Sequence, residues 1–283
     1  MTEFFKYHGI GNDFVVLDGM RADPALTKEE IVYICDRNFG VGADGVIYVL
    51  PGQKGSDVTM RIFNTDGSEP EMCGNGIRCL AKFAYDRGLV NGPDFVVHTG
   101  KGNLRAICTT GKDGKVSSVK IDMGAPILEP ADVPAVGEGR RIIDQEKEVC
   151  GIGIHYNAVS MGNPHCVVFD SLTPEQQEVL GPALEACTEM FPNKANVEFA
   201  TVSDGKIDIR VYERGVGWTL ACGTGACATT VAAALNGLVP FDTPVDVHLP
   251  GGDLKITVDR KLEHVYMDGP ATYVFTGHLP VRF

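Results

Sequence analysis

The chain carries one motif twice, and nothing else in it limits the fold so strongly. Arg61-Ile62-Phe63-Asn64 leads to Cys73-Gly74-Asn75-Gly76, and Arg210-Val211-Tyr212-Glu213 leads to Cys222-Gly223-Thr224-Gly225. In both places the cysteine stands twelve residues after the arginine, and the offset between copies is 222 − 73 = 149. The same offset carries Gly88-Leu89-Val90 onto Gly237-Leu238-Val239. A third echo links Gly11-Asn12 to Gly162-Asn163 at a shift of 162 − 11 = 151. Three echoes in one order at nearly one shift describe two structurally equivalent halves. So long a period belongs to a duplicated domain rather than a solenoid, and 283 residues accommodate two domains of ordinary size.

Within each half the pattern is strand-rich. β-branched or alternating runs predict strands at 13–18, 45–50, 58–63, 95–99, 104–109 and 116–122, then at 155–160, 166–169, 196–202, 206–212, 245–249, 254–258 and 263–268. Lys112-Asp113-Gly114-Lys115 reads as a hairpin turn. Helices are fewer. One is expected at 27–37, with a Thr cap followed three residues on by Glu, and one at 173–187, opening Thr-Pro-Glu. Two more follow the paired cysteines, 75–87 closed by Gly88 and 224–236 closed by Gly237. The second of these has almost no polar face. Such a helix must be enclosed, which places it through the middle of a curved sheet, and by the repeat its counterpart does the same.

Charge and cysteine content narrow the function. Lys and Arg number 25 against 37 Asp and Glu, a net −12 that repels phosphate backbones and anionic membranes, so no nucleic-acid or membrane partner is expected. The uncharged stretch 218–240 holds too many Gly, Thr and Asn for a bilayer span and reads as a buried helix. Met1-Thr2-Glu3-Phe4-Phe5-Lys6 lacks a basic region followed by an apolar run, so secretion is not expected. Nine cysteines, an odd number without paired C-x₂-C spacing, argue against a disulfide framework or a zinc site. They are read as reduced thiols, mostly small buried hydrophobes. A six-residue G-x-G-x-x-G fails at both Gly-x-Gly turns, and the phosphate-loop pattern is absent.

Cys73 and Cys222 each precede a Gly-x-Gly that opens a helix. The unpaired N–H groups and positive dipole end of such a turn suit a carboxylate. The same field is expected to lower the thiol pKa toward neutrality. A Cys-Gly-x-Gly taken alone is more often structural than catalytic; the duplication reverses that balance. Two facing sulfurs fit a reaction in which one thiolate takes a proton from a stereogenic carbon while the opposite thiol supplies one to the other face, with no cofactor. Cys35, Cys79, Cys108, Cys150, Cys166, Cys187 and Cys227 are read as structural. Two thiols sharing a small site should titrate jointly, giving a bell-shaped pH profile.

His8-Gly9-Ile10-Gly11-Asn12-Asp13-Phe14, Met72-Cys73-Gly74-Asn75-Gly76-Ile77-Arg78-Cys79, Gly162-Asn163-Pro164-His165, Tyr212-Glu213-Arg214-Gly215 and Ala221-Cys222-Gly223-Thr224-Gly225 together resemble the diaminopimelate epimerases, over nearly the whole chain. The resemblance implies an α+β fold of two pseudo-symmetric domains, each a mixed sheet or barrel wrapped around a central helix, with the active site in the interdomain cleft. It assigns 1–122 plus 270–283 to the first half and 123–269 to the second. It implies a cofactor-independent isomerase interconverting LL- and meso-2,6-diaminoheptanedioate for lysine and peptidoglycan precursors, with Cys73 and Cys222 as base and acid. Gly74, Asn75, Gly223 and Thr224 would hold the reacting carboxylate. Asn12, Asn64, Asn163, Asn196, Glu213 and Arg214 would bind the rest of the substrate, and His165 with Glu213 would tune the thiols. No metal or cofactor is implied. A homodimer is, in the cytoplasm, or in a plastid stroma had a transit peptide been removed. Gly45 stands where many relatives carry Gln, so that contact is not carried over.

Three other readings stay open at this level. One is a proline racemase or hydroxyproline epimerase, although these show His where this chain has Asn75 and lack the Tyr-Glu-Arg-Gly stretch. Another is a thiol–disulfide redox protein pairing Cys73 with Cys79 or Cys222. The last is a non-catalytic amino-acid binding module.

Overall fold

The computed structural model describes residues 2–279, which divide into two compact units, one holding 2–122 with 268–279 and the other Met123–Met267. In the first unit β1 (Thr2–Gly9) and β2 (Asn12–Asp18) precede α1 (Lys28–Cys35), β3 (Gly45–Pro51) and β4 (Val58–Asn64). Then come α2 (Gly74–Asp86), β5 (Asp94–Thr99), β6 (Gly102–Thr110) and β7 (Val116–Asp122). The second unit runs β8 (Gln145–Val149), β9 (Ile152–Ser160), β10 (Pro164–Val168), α3 (Pro174–Glu185), β11 (Asn196–Ser203), β12 (Lys206–Glu213) and β13 (Gly217–Thr219). It continues with α4 (Gly223–Leu235), β14 (Val245–Leu249) and β15 (Gly252–Val258); β16 (Val265–Gly269) leaves it after Met267, and β17 (Thr272–Leu279) belongs to the first unit.

The duplication is visible strand by strand. In the first unit the order is β17-β1-β2-β3-β4-β5-β6-β7, with β2–β3 and β4–β5 parallel and the other pairs antiparallel. In the second it is β8-β9-β10-β11-β12-β14-β15, with β10–β11 and β12–β14 parallel and the rest antiparallel. Each parallel pair is joined through a helix, as a crossover requires. Register repeats as well. Val58 and Thr59 pair with Val97 and His98, and Ile207 and Asp208 pair with Val247 and His248, shifts of 207 − 58 = 149 and 247 − 97 = 150. Both central helices end alike: Leu89 N–H donates to Ala84 and Leu238 N–H to Ala233, each at 2.9 Å, past glycines at φ +69° and +72°. This is a Schellman closure, which uses the left-handed conformation glycine tolerates.

Each sheet curls around its own helix. Residues 74–84 of α2 are all buried, and the helix touches β1, β2, β3, β4, β6 and β7. The alanine-rich α4 is enclosed in the same manner by β9, β10, β11, β12, β14 and β15. The outer helices begin with capping boxes, Thr27 with Glu30 as the sequence promises and Thr173 with Gln176, where only the Pro at the first helical position was expected. Ile31 and Ile34 of α1 pack on Val15, Leu17 and Tyr48. Leu180 and Leu184 of α3 pack on Tyr156 and Phe199, each burial being worth ~2 kcal/mol.

Some expectations shift. The stretch 218–240 is a helix only over Gly223–Leu235, because β13 ends at Thr219 and Cys222 serves as the helix cap. Strands β1 and β8 lie outside the patterns read from sequence. Phe4, Phe5, Lys6 and Tyr7 of β1 are all buried, since Phe5 and Tyr7 meet Phe83 of α2 while Phe4 meets Phe275 of β17 on the other face. A strand covered on both faces loses its alternation. Gln145-Glu146-Lys147-Glu148 of β8 is polar throughout and owes its strand to pairing with β9. Of the terminal segment 270–283, residues 280–283 lie outside the described residues.

Candidate active site

The two paired cysteines occupy the same local structure. Cys73 caps α2 and Cys222 caps α4, with extended backbones at φ −135° and −128°. Each sulfur accepts the N–H three residues on, from Gly76 at 3.5 Å and from Gly225 at 3.3 Å. A thiol thus stands where Ser or Asp is the usual cap. The second glycine of each motif is closely packed. A Cβ on Gly225 would lie 2.8 Å from Glu198 Oε1 and 3.2 Å from Cys222 Sγ, and one on Gly76 would lie 3.1 Å from the Ile47 and Ile62 methyl groups. With the first turn kept this tight, the N–H groups that open each helix gather beside the sulfur, an arrangement able to hold a carboxylate.

In the first unit, Asn12 and Asn75 gather at Cys73. The Cys73 thiol lies 3.7 Å from Asn12 Oδ1, and Asn75 Nδ2 donates to the same oxygen at 3.2 Å. Asn12 Nδ2 donates to Asp44 Oδ2 at 2.8 Å, and Arg37 clasps Asp44 and Asp13 together at 2.7 Å each. Lys6, almost fully buried, pairs with Asp13 and the Gly42 carbonyl. Burial opposes charge on Asp13, but the Arg37 and Lys6 bonds outweigh it and hold this carboxyl below its ordinary range. Fully buried Arg78 donates to the Gly74 carbonyl and to Asn75 Oδ1, locking the first turn of α2. Asn64 stands apart, as the last residue of β4, where it donates to Ser68 Oγ.

In the second unit, Asn163, His165, Thr224 and Cys222 form a continuous path. His165 Nε2 lies 3.1 Å from Asn163 Oδ1, Asn163 Nδ2 donates to Thr224 Oγ1 at 3.4 Å, and that hydroxyl lies 3.5 Å from Cys222 Sγ. Asn196 Oδ1 accepts the Arg214 backbone N–H at 2.8 Å, which ties the start of β11 to the loop that carries the arginine. The Arg214 guanidinium is exposed, rests on the Asn193 carbonyl and makes no ion pair among the described residues, which leaves its fork open to a carboxylate. Thr219 donates to Glu213 at 2.6 Å.

One electrostatic expectation is overturned. Burial of the sulfur, then the carboxylates of Glu213 and Glu198, push the Cys222 thiol well above its ordinary value, against the smaller pull of Thr224 and the Gly225 N–H. Desolvation of a fully enclosed thiol outweighs a helix terminus. Cys79 is wholly buried and pushed up to about 12 by that burial, which unfits it as a resolving thiol for Cys73. Cys150 is the exception among the thiols read as structural: it is exposed, in the β8–β9 turn.

Three supporting residues were not singled out by sequence reasoning: Asp44, Arg78 and Glu198. The only available signal was for Glu198, a charge within the otherwise apolar start of a central strand.

A model of the diaminopimelate epimerase family matches residues 4–129 and 157–274. The chain belongs to that family. It is 48% identical to diaminopimelate epimerase 1 of Nostoc sp., over 98% of this chain and 99% of that one. It is 47% identical to a chloroplastic diaminopimelate epimerase of Oryza sativa subsp. japonica, over 97% of this chain and 79% of the rice sequence. Among solved structures it shares its fold with a PhzF-family phenazine biosynthesis protein of Bacillus anthracis (TM-score 0.69, 18% identity, 99% of both chains). A probable proline racemase of Agrobacterium radiobacter is similarly alike (TM-score 0.70, 15% identity, 99% of this chain and 93% of that one). As a diaminopimelate epimerase family member the chain is an isomerase of the racemase and epimerase kind, with the two-unit α+β fold of that group. Among the described residues, no helix is long and apolar enough to cross a membrane.

Proposed function

We propose that this chain interconverts LL- and meso-2,6-diaminoheptanedioate through Cys73 and Cys222, one sulfur from each repeat. The observation that carries this reading is the matched pair of capping thiols at the two buried helix starts, in a chain of this family. One thiolate removes the α-proton. The electron pair left on carbon delocalises into the adjacent carboxylate, and the other thiol returns a proton to the opposite face. One sulfur is thereby protonated and the other ionised, and the reverse reaction exchanges them. Charge grows on the carboxylate as the proton leaves. The N–H groups of Gly74, Asn75, Gly223 and Thr224 stabilise it there and so favour the transition state over the ground state.

Asn12, Asn64, Asn163, Asn196 and Arg214 bind the remainder of the substrate, Arg214 gripping the distal carboxylate in bidentate fashion. Glu213 accepts from a substrate ammonium and, with His165, tunes the thiols. Residues 1–122 with 270–283 and 123–269 are the two epimerase halves. The protein acts as a homodimer in the cytoplasm or a plastid stroma. Support for the dimer comes from β17, which pairs with β1 on one edge and exposes Tyr273, Val274 and Phe275.

The test is incubation with LL-diaminopimelate in deuterated water under reducing conditions, following α-deuterium and the isomer ratio. Label should enter as meso product forms. Parent protein that introduces no label would end the reading.

A further inference from the structure

Glu198 lies on β11 with its carboxylate fully buried. Its Oε1 is 2.7 Å from His165 Nδ1, and the His165 side chain is fully buried too. Its Oε2 has no hydrogen-bond partner among the described residues. The geometry beyond the ring is directional. Asn163 spends its amide nitrogen on Thr224, so its oxygen is the atom facing His165, and Nε2 must be the donor in that contact. The carboxylate thus sets the ring, the ring sets the Asn163 amide, and the amide sets the Thr224 hydroxyl beside Cys222.

The first repeat shows what this position holds when only the fold is served. Phe14 pairs with Gly45 in β2–β3 as His165 pairs with Asn196 in β10–β11, and two residues further along β3 and β11 stand Ile47 and Glu198. Ile47 also lies beside Gly76 as Glu198 lies beside Gly225. The counterparts of His165 and Glu198 are therefore Phe14 and Ile47, an apolar pair in the same scaffold. Enclosing a carboxylate that leaves one oxygen unbonded costs stability, and the sibling half demonstrates that the architecture has no need of it.

We propose that Glu198 is a positioning residue for the Cys222 half of the reaction, acting through His165 to fix Asn163 and Thr224 at the sulfur. The inference rests on the two-thiol reading above. Glu198 touches neither substrate nor reacting carbon; its effect reaches the chemistry through the orientation of three side chains. Its charge also works with that of Glu213 to disfavour a second thiolate at Cys222.

The experiment compares parent, E198Q, E198I, H165Q and E198I/H165Q, with C222A as control. In E198I, which copies the first repeat, kcat should fall ~100-fold while KM stays within about threefold, the signature of lost alignment rather than lost binding. E198Q, which keeps an oxygen for Nδ1, should lose less than E198I, with kcat ~10-fold below the parent. If Glu198 acts through His165, E198I/H165Q should be no slower than the slower single variant. Parental kcat in E198Q and E198I, or losses that multiply in the double variant, would overturn the proposal. Should E198I fail to fold, the near-isosteric E198Q decides alone, unchanged kcat counting against it. Parent turnover together with a dead C222A shows separately that this sulfur is needed, so failure of the positioning role is distinguishable from failure of the two-thiol reading.

Discussion

The Asn12 side chain donates to Asp44 Oδ2 at 2.8 Å, and this bond turns its carbonyl oxygen toward the Cys73 thiol, 3.7 Å away. Asp44 in turn is held by Arg37 at 2.7 Å. The rotamer of a residue beside one sulfur is thus set by a neighbouring carboxylate, just as His165 is set by Glu198 in the other repeat.

Removing that restraint should cost catalysis more than stability. In D44N the new amide no longer offers two acceptors, and Asn12 is free to flip. We expect kcat/KM to fall ~10-fold and stability by ~1–2 kcal/mol. Steady-state kinetics alongside a urea melt checks this, and kinetics that track the melt alone would count against a positioning role for Asp44.

The raised Cys222 thiol fixes the sense of the pH response. It stays protonated through neutrality and ionises only in alkali, so activity should be lost as pH rises through that ionisation, because two thiolates leave no proton donor. Loss in acid reflects protonation of the base. A bell-shaped kcat/KM profile is expected; a monotonic rise from about pH 6 to about pH 10 would contradict it.

Arg214 is exposed and unpaired with any carboxylate among the described residues, which makes it separable from stability. R214K keeps the charge and loses the planar fork. KM should rise ~10-fold or more with kcat little changed and the melting temperature unmoved. An unchanged KM would remove Arg214 from substrate binding.

Cys79 predicts a stability effect unrelated to catalysis. Its thiol is raised from 9.0 to about 12 by burial in α2, so the folded state holds this proton where the unfolded chain releases it. The neutral thiol favours the fold fully below the unfolded value, and the advantage is lost as pH rises above it, by ~1.4 kcal/mol per pH unit. Unfolding free energy measured from about pH 9 to about pH 11 should decline less steeply in C79A than in the parent. Equal slopes would show that Cys79 is not the responsible group.

Much of this protein is legible in one dimension because a duplication leaves its trace in spacing. The twelve-residue step from arginine to cysteine survives in both copies since α2 and α4 must each start where β4 and β12 deliver the chain. Capping boxes and glycine closures are local, so Thr27, Thr173, Gly88 and Gly237 announce their helices. Strand β8 is not legible because its residues are polar and only a partner strand makes it one. The field at Cys222 was misread for a related reason. A helix start is visible in the sequence, whereas enclosure of the sulfur and the approach of Glu213 and Glu198 are not.

The linear order of residues alone determined that there are two copies, that each holds a thiol at the head of an enclosed helix, and which turns and caps bound its elements. These depend on neighbours within one or two turns of chain. Which buried polar groups stand behind each thiol was decided only in three dimensions. The parallel crossover from β10 through α3 to β11 sets Glu198 against His165, thirty-three residues earlier, and α1 does the same for Asp44 and Asn12. A crossover converts large sequence separation into hydrogen-bond distance, and no local pattern records where its two ends will meet.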